Sequence, residues 1–117
     1  MRRPMPTFER GAVIKVPFPY TDRATRQWRP ALVVSTARLE ELHGLLWVVM
    51  ITSAENRGWP DDVPVGDLTM AGLPVPSLIR CAKIATIDAY HASRLGRVSE
   101  EQVRLVTGRL VRALTAA

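Results

Sequence analysis

The sequence has little of what builds disulfides, membrane spans or secretory leaders. Its one cysteine, Cys81, cannot form an internal disulfide, which is compatible with a reducing cytoplasm. The longest uninterrupted apolar run, from Leu45 to Ile51, is far shorter than the roughly 18 residues that span a membrane. Residues 1–6 carry charge, but no apolar segment of a signal peptide follows them. We therefore expect a soluble cytoplasmic protein.

The sequence also lacks the patterns of several kinds of active site. No cluster of histidine, cysteine and carboxylate residues has metal-ligand spacing, and there is no glycine-rich phosphate loop. His43 and His91 are expected on the surface, before and after predicted strands. Cys81 is flanked by Arg80 and Lys83, but no catalytic motif accompanies it, so a buried small residue is expected. No metal and no cofactor are predicted.

Basic residues outnumber acidic ones, sixteen to eleven, for a net charge of +5. Only Lys15 and Lys83 are lysine, and the other basic residues are arginine. Arginine keeps its charge at any working pH, and its planar guanidinium fits phosphate. This balance favours an anionic partner, nucleic acid first, although a coding bias toward arginine would explain it equally well.

The first part of the chain is predicted to form strands separated by a polar loop. Apolar residues alternate from Ala12 to Phe18, as in a strand, and Pro17 and Pro19 should end it or keep it at a sheet edge. Residues 19–28 are polar and predict a loop, and residues 31–35 predict a second strand.

The middle of the chain predicts a short helical segment followed by a buried strand. Residues 36–43 are expected to form one or two helical turns. The run from Leu45 to Ile51 is apolar at every position, which is typical of a central strand covered on both faces. Trp47 is therefore expected in the core.

The second half predicts loops, two strands and one helix, all within a single domain of residues 1–117. Turn chemistry, including Asp61 and Asp62, predicts the first loop, and glycine and proline predict the second. The predicted segments are a loop at 54–61, an edge strand at 62–65, a loop at 71–76 and a strand at 78–87. Ser99 is a candidate N-cap, with Gln102 completing a capping box, for a C-terminal helix with one apolar face. The predicted class is mainly β, a small barrel with helical additions.

Five segments, in the same order and spacing, resemble the PemK/MazF family of toxins. They are Glu9–Val13 with Val16–Tyr20, Arg29–Val34, Ile51–Ser53, Gly72–Arg80 with Lys83–Asp88, and Arg94–Ser99 ahead of the helix. Each segment is weak by itself, but together they cover nearly the whole chain from residue 8 onward. The resemblance implies an SH3-like barrel with a C-terminal helix, usually as a homodimer.

The resemblance also implies an activity. Proteins of this family are toxins of type II toxin–antitoxin systems that cleave single-stranded RNA sequence-selectively and without a metal. The 2′-hydroxyl of the RNA attacks the adjacent phosphate, leaving a cyclic phosphate and a 5′-hydroxyl. A small antitoxin would block the RNA groove with an extended acidic segment.

Three residues match catalytic positions of the family. Arg29 would neutralise charge on the phosphoryl group, and Thr52 would donate a hydrogen bond to a phosphoryl oxygen or the leaving group. Arg80 matches an arginine that PemK-type members use at the site. Without the resemblance, Arg29 would be read as a solvated strand-end residue and Thr52 as a β-branched residue that suits a strand.

Two departures from the family pattern concern acidic residues. Ala82 stands where PemK-type members have the acidic residue thought to act as base, and Ala12 stands where an acidic residue usually follows Arg-Gly. The base is therefore unassigned, with Arg29 acting as both acid and base, as proposed for MazF-like members, as the fallback.

The predicted RNA-binding residues lie in the loops and beside Thr52. Arginines would contact phosphates and tryptophans would stack on splayed bases, although single loop residues of these types are often only solvated or cover a core edge. The set is Arg23, Arg26, Trp28, Ser53, Arg57 and Trp59.

Two other functions are compatible with the same barrel. One is a non-enzymatic toxin that inhibits a protein such as DNA gyrase, for which Arg29 and Thr52 would be dispensable. The other is a catalytically inactive RNA-binding barrel, which Ala82 makes credible and which predicts salt-sensitive binding without scission. The intact pair of Arg29 and Thr52 favours the enzyme.

Overall fold

A computed structural model describes residues 7–18 and 27–115. The strands are β1 (Ala12–Phe18), β2 (Gln27–Val33), β3 (Leu45–Ser53), β4 (Val63–Pro64), β5 (Ser77–Asp88) and β6 (Ser93–Arg97). The helices are α1 (Ala37–His43), α2 (Leu68–Ala71) and α3 (Glu100–Leu114), and a 3₁₀ turn covers Ala89–His91.

The strands form one six-stranded antiparallel sheet in the order β4-β5-β3-β2-β1-β6. Helix α2 follows β4, which is at one edge, yet it packs against β6 at the opposite edge. The sheet is therefore curled into a half-barrel whose two edges α2 brings together. The predicted mainly-β fold with a C-terminal helix is confirmed.

The contact between α2 and β6 depends on two glycines. A Cβ on Gly96 would overlap the carbonyl oxygen of Met70, and a Cβ on Gly72 would overlap the carbonyl oxygen of Leu95. Gly72 also ends α2 with a φ of 72°, in the left-handed region that glycine adopts without strain. Both positions therefore require a residue without a side chain.

Apolar side chains are buried on both faces of the sheet, because successive residues of a strand point to opposite sides. One cluster contains Phe8, Ala12, Ile14, Val16, Ala31, Val33, Leu46, Val48, Met50 and Ile87. The other includes Val13, Leu32, Val49, Ile51, Ile79 and Cys81, and α3 contributes Val106 to it. Burial of a valine such as Val106 stabilises the fold by roughly 1.5–3 kcal/mol.

Helix α3 begins as predicted, but its capping box is incomplete. The Ser99 hydroxyl accepts a hydrogen bond from the Gln102 amide at 3.2 Å. The Gln102 side chain does not return to Ser99; it donates to the Pro64 carbonyl at 2.6 Å and accepts from the Gly66 amide at 3.1 Å. Gln102 therefore ties α3 to the end of β4 and to the segment that follows it.

Two predictions about buried strands need correction. Trp47 is 48% exposed, so its predicted core position is wrong. It faces an open cavity beside α1, which its neighbours Leu39 and Leu42 do not fill. The other prediction was that Pro17 and Pro19 end β1 or keep it at a sheet edge. Strand β1 runs through Pro17 and ends at Phe18, but it lies between β2 and β6, so the edge alternative is wrong. Pro17 is tolerated because β6 pairs only with residues 12–15 of β1.

Other differences concern element boundaries and two elements that the sequence pattern missed. Strand β2 begins at Gln27, inside the predicted loop. Neither α2 nor β6 was predicted. The predicted edge strand at 62–65 is shorter, Val63–Pro64, but it does lie at the edge.

Candidate active site

An open cavity of about 350 Å³ lies where β1, β2 and β3 meet the segment that connects α2 to β5. Its lining residues are Lys15, Trp28, Arg29, Pro30, Ile51, Thr52, Ser53, Gly72, Leu73, Pro74, Val75, Ser77 and Leu95. Among these described residues two are cationic and none is acidic. The cavity is therefore suited to an anionic group.

Arg29 reaches this cavity from β2, where it pairs with Val16 of β1. Its Nη2 donates a hydrogen bond to Gln27 Oε1 at 2.9 Å. Its Nε is buried and has no hydrogen-bond partner among the residues that the structure describes. An unpaired buried donor costs about 1–3 kcal/mol. Because Arg29 lines the cavity, its guanidinium adds a positive charge to the cavity wall.

Thr52 and Ser53 end the central strand β3 and line the same cavity. Thr52 is buried, and its Oγ1 accepts a hydrogen bond from Asn56 Nδ2 at 2.7 Å. Ser53 Oγ accepts from the Glu55 amide at 3.2 Å. A hydroxyl has one proton to donate in addition to its acceptor sites. Each hydroxyl can therefore still donate to a ligand.

Trp28 and Lys15 complete the wall of the cavity. Trp28 is 55% exposed, which leaves its indole ring available for stacking. Lys15 is exposed on β1 and was not among the predicted site residues. The signal that could have identified it is its position as the only charged residue in a strand of otherwise apolar side chains. Lys15 adds a second positive charge to that of Arg29.

Arg80, the third predicted catalytic residue, lies outside the lining of this cavity. Its side chain is 8% exposed and forms an ion pair with Asp62, with Nη2 3.0 Å from Oδ2. Nη2 also donates to the Arg57 carbonyl at 2.7 Å, and the guanidinium stacks 4.2 Å from the ring centroid of Trp59. Arg80 thus fixes the loop between β3 and β4.

Asp62 is the acidic partner that the sequence pattern did not assign to Arg80. Asp62 also accepts a hydrogen bond from the Trp59 backbone amide at 2.8 Å. Its place in a turn was predicted from the sequence, whereas its ion pair with Arg80 was not. Ala82, two residues after Arg80, is exposed and lies at an irregularity where β5 loses register with β3. The carboxylate beside Arg80 therefore belongs to Asp62 in the loop before β4, and not to a residue at position 82.

The remaining predicted residues are distributed as follows. Arg57 and Trp59 lie in the exposed loop before β4, with Trp59 40% exposed. Arg23 and Arg26 lie outside the described residues. Cys81 is buried as predicted, and desolvation raises the pKa of its thiol. His43 and His91 are exposed, as predicted.

Residues 7–18 and 27–115 contain no group of three or more histidine, cysteine or carboxylate side chains that could hold a metal ion. This part of the chain also contains no helix that is long and apolar enough to cross a membrane.

Solved structures with the same fold include toxins and toxin–antitoxin complexes. A MazE–MazF complex from Deinococcus radiodurans has a TM-score of 0.75 at 22% identity, covering 93% of this chain and 97% of that chain. An endoribonuclease in complex with its cognate antitoxin, from a mycobacterial species, has a TM-score of 0.73 at 21% identity, with coverages of 92% and 95%. The Mycobacterium tuberculosis toxin MazF-mt6 has a TM-score of 0.69 at 21% identity, with coverages of 88% and 95%.

The sequence itself gives the family. Residues 9–114 match the family described as PemK-like, MazF-like toxins of type II toxin–antitoxin systems. No curated protein matches the sequence. The chain belongs to the PemK/MazF-like toxin family, which confirms the resemblance and the predicted fold.

Proposed function

We propose that this toxin is an endoribonuclease that cleaves single-stranded RNA sequence-selectively and without a metal ion. The observation that carries this proposal is that the cationic side chains of Lys15 and Arg29 and the hydroxyls of Thr52 and Ser53 line one cavity, with no acidic residue among its described lining residues. This arrangement resembles a receptor for a phosphate, with donors that are in position before the ligand binds.

The reaction would use a nucleophile that the substrate carries. The 2′-oxygen forms a bond to the adjacent phosphorus, and the bond from phosphorus to the 5′-oxygen breaks. The 2′-hydroxyl gives up its proton and the 5′-oxygen takes one, leaving a cyclic phosphate and a 5′-hydroxyl. Arg29 would stabilise the charge that builds on the phosphoryl oxygens, and Thr52 would donate to one of them or to the leaving oxygen. Arg29 is also the candidate for exchanging these protons.

Single-stranded RNA would bind through stacking and phosphate contacts around the cavity. The exposed ring of Trp28 supports stacking by a base next to the scissile phosphate. Trp59 has Arg80 against its ring and is still partly exposed, which supports stacking by a second base. Lys15, Arg57 and the predicted Arg23 and Arg26 would contact neighbouring phosphates, and Arg80 would act through the loop that it holds.

The proposed protein partners of the toxin are an acidic antitoxin and a second copy of the toxin itself. The net charge of +5 and the toxin–antitoxin complexes among the structural relatives support a cognate acidic antitoxin that competes with RNA. A cytoplasmic homodimer is the proposed working form of the toxin.

The proposal is tested by incubating the purified protein with a long single-stranded RNA in excess EDTA. Wild type should produce discrete fragments. Arg29→Ala and Thr52→Ala should each lower kcat by about 10²–10³-fold, the usual cost of losing one transition-state donor. Arg104→Ala is the matched control, because it removes the same charge from an exposed position on α3 and should retain wild-type activity.

The result also separates the enzyme from an inactive RNA-binding barrel. If wild type binds RNA in a salt-dependent manner but leaves a broad panel of sequences intact, the protein is a binding barrel and the proposed activity is wrong. Equal loss of cleavage in Arg104→Ala and Arg29→Ala would show that general charge, rather than the cavity, carries the activity.

A further inference from the structure

Asn56 contacts the proposed catalytic threonine from outside the strand that carries it. Its Nδ2 donates a hydrogen bond of 2.7 Å to Thr52 Oγ1. The resemblance to the family assigns no role to Asn56. Asn56 is also not among the residues that line the cavity. Its side chain reaches back from an exposed turn to a buried hydroxyl.

We propose that Asn56 is a positioning residue that directs the Thr52 hydroxyl proton into the cavity. This inference rests on the proposed role of Thr52 in RNA cleavage. A hydroxyl oxygen that accepts a hydrogen bond on one side has its own proton on another. The amide NH₂ of Asn56 can only donate, so the Thr52 proton points away from Asn56 and is available to the phosphate.

The turn that carries Asn56 is held by several independent contacts. The backbone N–H of Asn56 donates to the Ser53 carbonyl at 3.1 Å, and the backbone N–H of Glu55 donates to the Ser53 hydroxyl at 3.2 Å. The Ala54 amide donates to the Pro76 carbonyl at 2.9 Å, which joins the turn to the segment before β5. Asn56 therefore starts from a fixed backbone position.

The buried Arg80 extends this support by one residue. Its Nη2 donates to the carbonyl of Arg57, the residue directly after Asn56. The ion pair with Asp62 holds the guanidinium in place for this contact. Arg80 therefore supports Thr52 indirectly. It holds the backbone at Arg57, next to Asn56, and Asn56 donates a hydrogen bond to Thr52.

The experiment exchanges the donor on Asn56 for an acceptor. Asn56→Asp keeps the shape of the side chain, but its carboxylate accepts the Thr52 proton and turns it away from the cavity. Asn56→Ala removes the donor and leaves the hydroxyl free to rotate. We expect kcat to fall about tenfold in Asn56→Ala, which is less than the roughly 10²–10³-fold cost of losing a transition-state donor outright, and about a hundredfold in Asn56→Asp, at the lower end of that range. KM should be nearly unchanged in Asn56→Ala.

Two controls separate this role from charge and from structure. Ala54→Asp adds the same negative charge to the same exposed turn without contacting Thr52, and it should lower kcat much less than Asn56→Asp does. Both Asn56 variants are also made in the Thr52→Ala background. There the hydroxyl is gone, so each should change kcat about twofold or less, apart from the charge effect that Ala54→Asp measures.

The outcomes distinguish this inference from the proposed function. If wild type cleaves RNA but the Asn56 variants lose as much activity in the Thr52→Ala background as in wild type, Asn56 does not act through Thr52 and the inference is wrong. If both Asn56 variants cleave like wild type, it is wrong as well, while the ribonuclease assignment stands. A wild-type protein that cleaves no RNA would overturn both.

Discussion

The ion pair between Arg80 and Asp62 should be one of the most sensitive points of the fold. The two side chains are 8% and 7% exposed, so both charges are largely removed from water. Replacing Arg80 with methionine would leave the Asp62 carboxylate buried, with the Trp59 backbone amide as its one remaining donor among the described residues. It would also remove the donor to the Arg57 carbonyl.

The expected loss of unfolding free energy follows from the burial of the two charged side chains. Removing one partner of a buried ion pair costs about 3–5 kcal/mol, because an uncompensated charge is left behind. A domain of this size has a total unfolding free energy of roughly 5–15 kcal/mol, so Arg80→Met should lose a large part of it. The double variant Arg80→Met/Asp62→Leu leaves no buried charge, and it should lie within about 2 kcal/mol of wild type.

Urea denaturation followed by tryptophan fluorescence measures all three proteins. With a slope of about 1–3 kcal/mol per molar urea, Arg80→Met should lower the midpoint by roughly 2 M. The double variant should recover most of that shift at an unchanged slope. A loss below about 1 kcal/mol in Arg80→Met would place the pair among solvated surface ion pairs and would refute the reasoning from burial.

Three further predictions concern single positions. Gly72→Ala should lower the unfolding free energy by more than about 2 kcal/mol, because the φ of 72° is left-handed and the new Cβ would overlap the Leu95 carbonyl. A loss below about 0.5 kcal/mol, the size expected of a neutral surface substitution, would contradict the packing of α2 on β6. Ser99→Ala should cost about 1 kcal/mol in thermal unfolding, since the Gln102 amide loses its acceptor, whereas Ser99→Asp should retain stability. The Cys81 thiol, whose pKa is raised by burial, should react with a thiol reagent at pH 8 far more slowly in the folded protein than in urea; equal rates would show that it is exposed.

Much of the fold could be predicted because its longest elements have strong local patterns. The alternation of β1, the apolar run of β3 and the capped amphipathic α3 are local signals, and all three elements are present. Strand β6 was missed because its residues are mostly exposed and it is defined by pairing with β1, which is distant in sequence. Trp47 was misplaced because an apolar run shows that a strand is apolar, but does not show which positions the neighbouring elements cover.

The sequence predicted catalytic residues only where residue type and position match the catalytic positions of the family. The resemblance identified Arg29 and Thr52, which line one cavity in the structure. The Arg80–Asp62 ion pair joins residues 18 apart in the sequence, and no spacing pattern reveals it. Asn56 is four residues from Thr52, but its residue type in a turn does not identify the hydrogen bond that it donates to Thr52.

The most direct test of the central claim uses a short RNA that contains one cleavage sequence, incubated with the toxin in EDTA, and its analogue with a single 2′-deoxynucleotide at the scissile position. The account predicts that the all-RNA strand is cut to a fragment with a cyclic phosphate and a fragment with a 5′-hydroxyl, both visible by mass spectrometry. It predicts that the 2′-deoxy analogue stays intact while still binding the protein. Cleavage of the 2′-deoxy analogue at the same bond would contradict the account, because the 2′-hydroxyl could not then be the nucleophile.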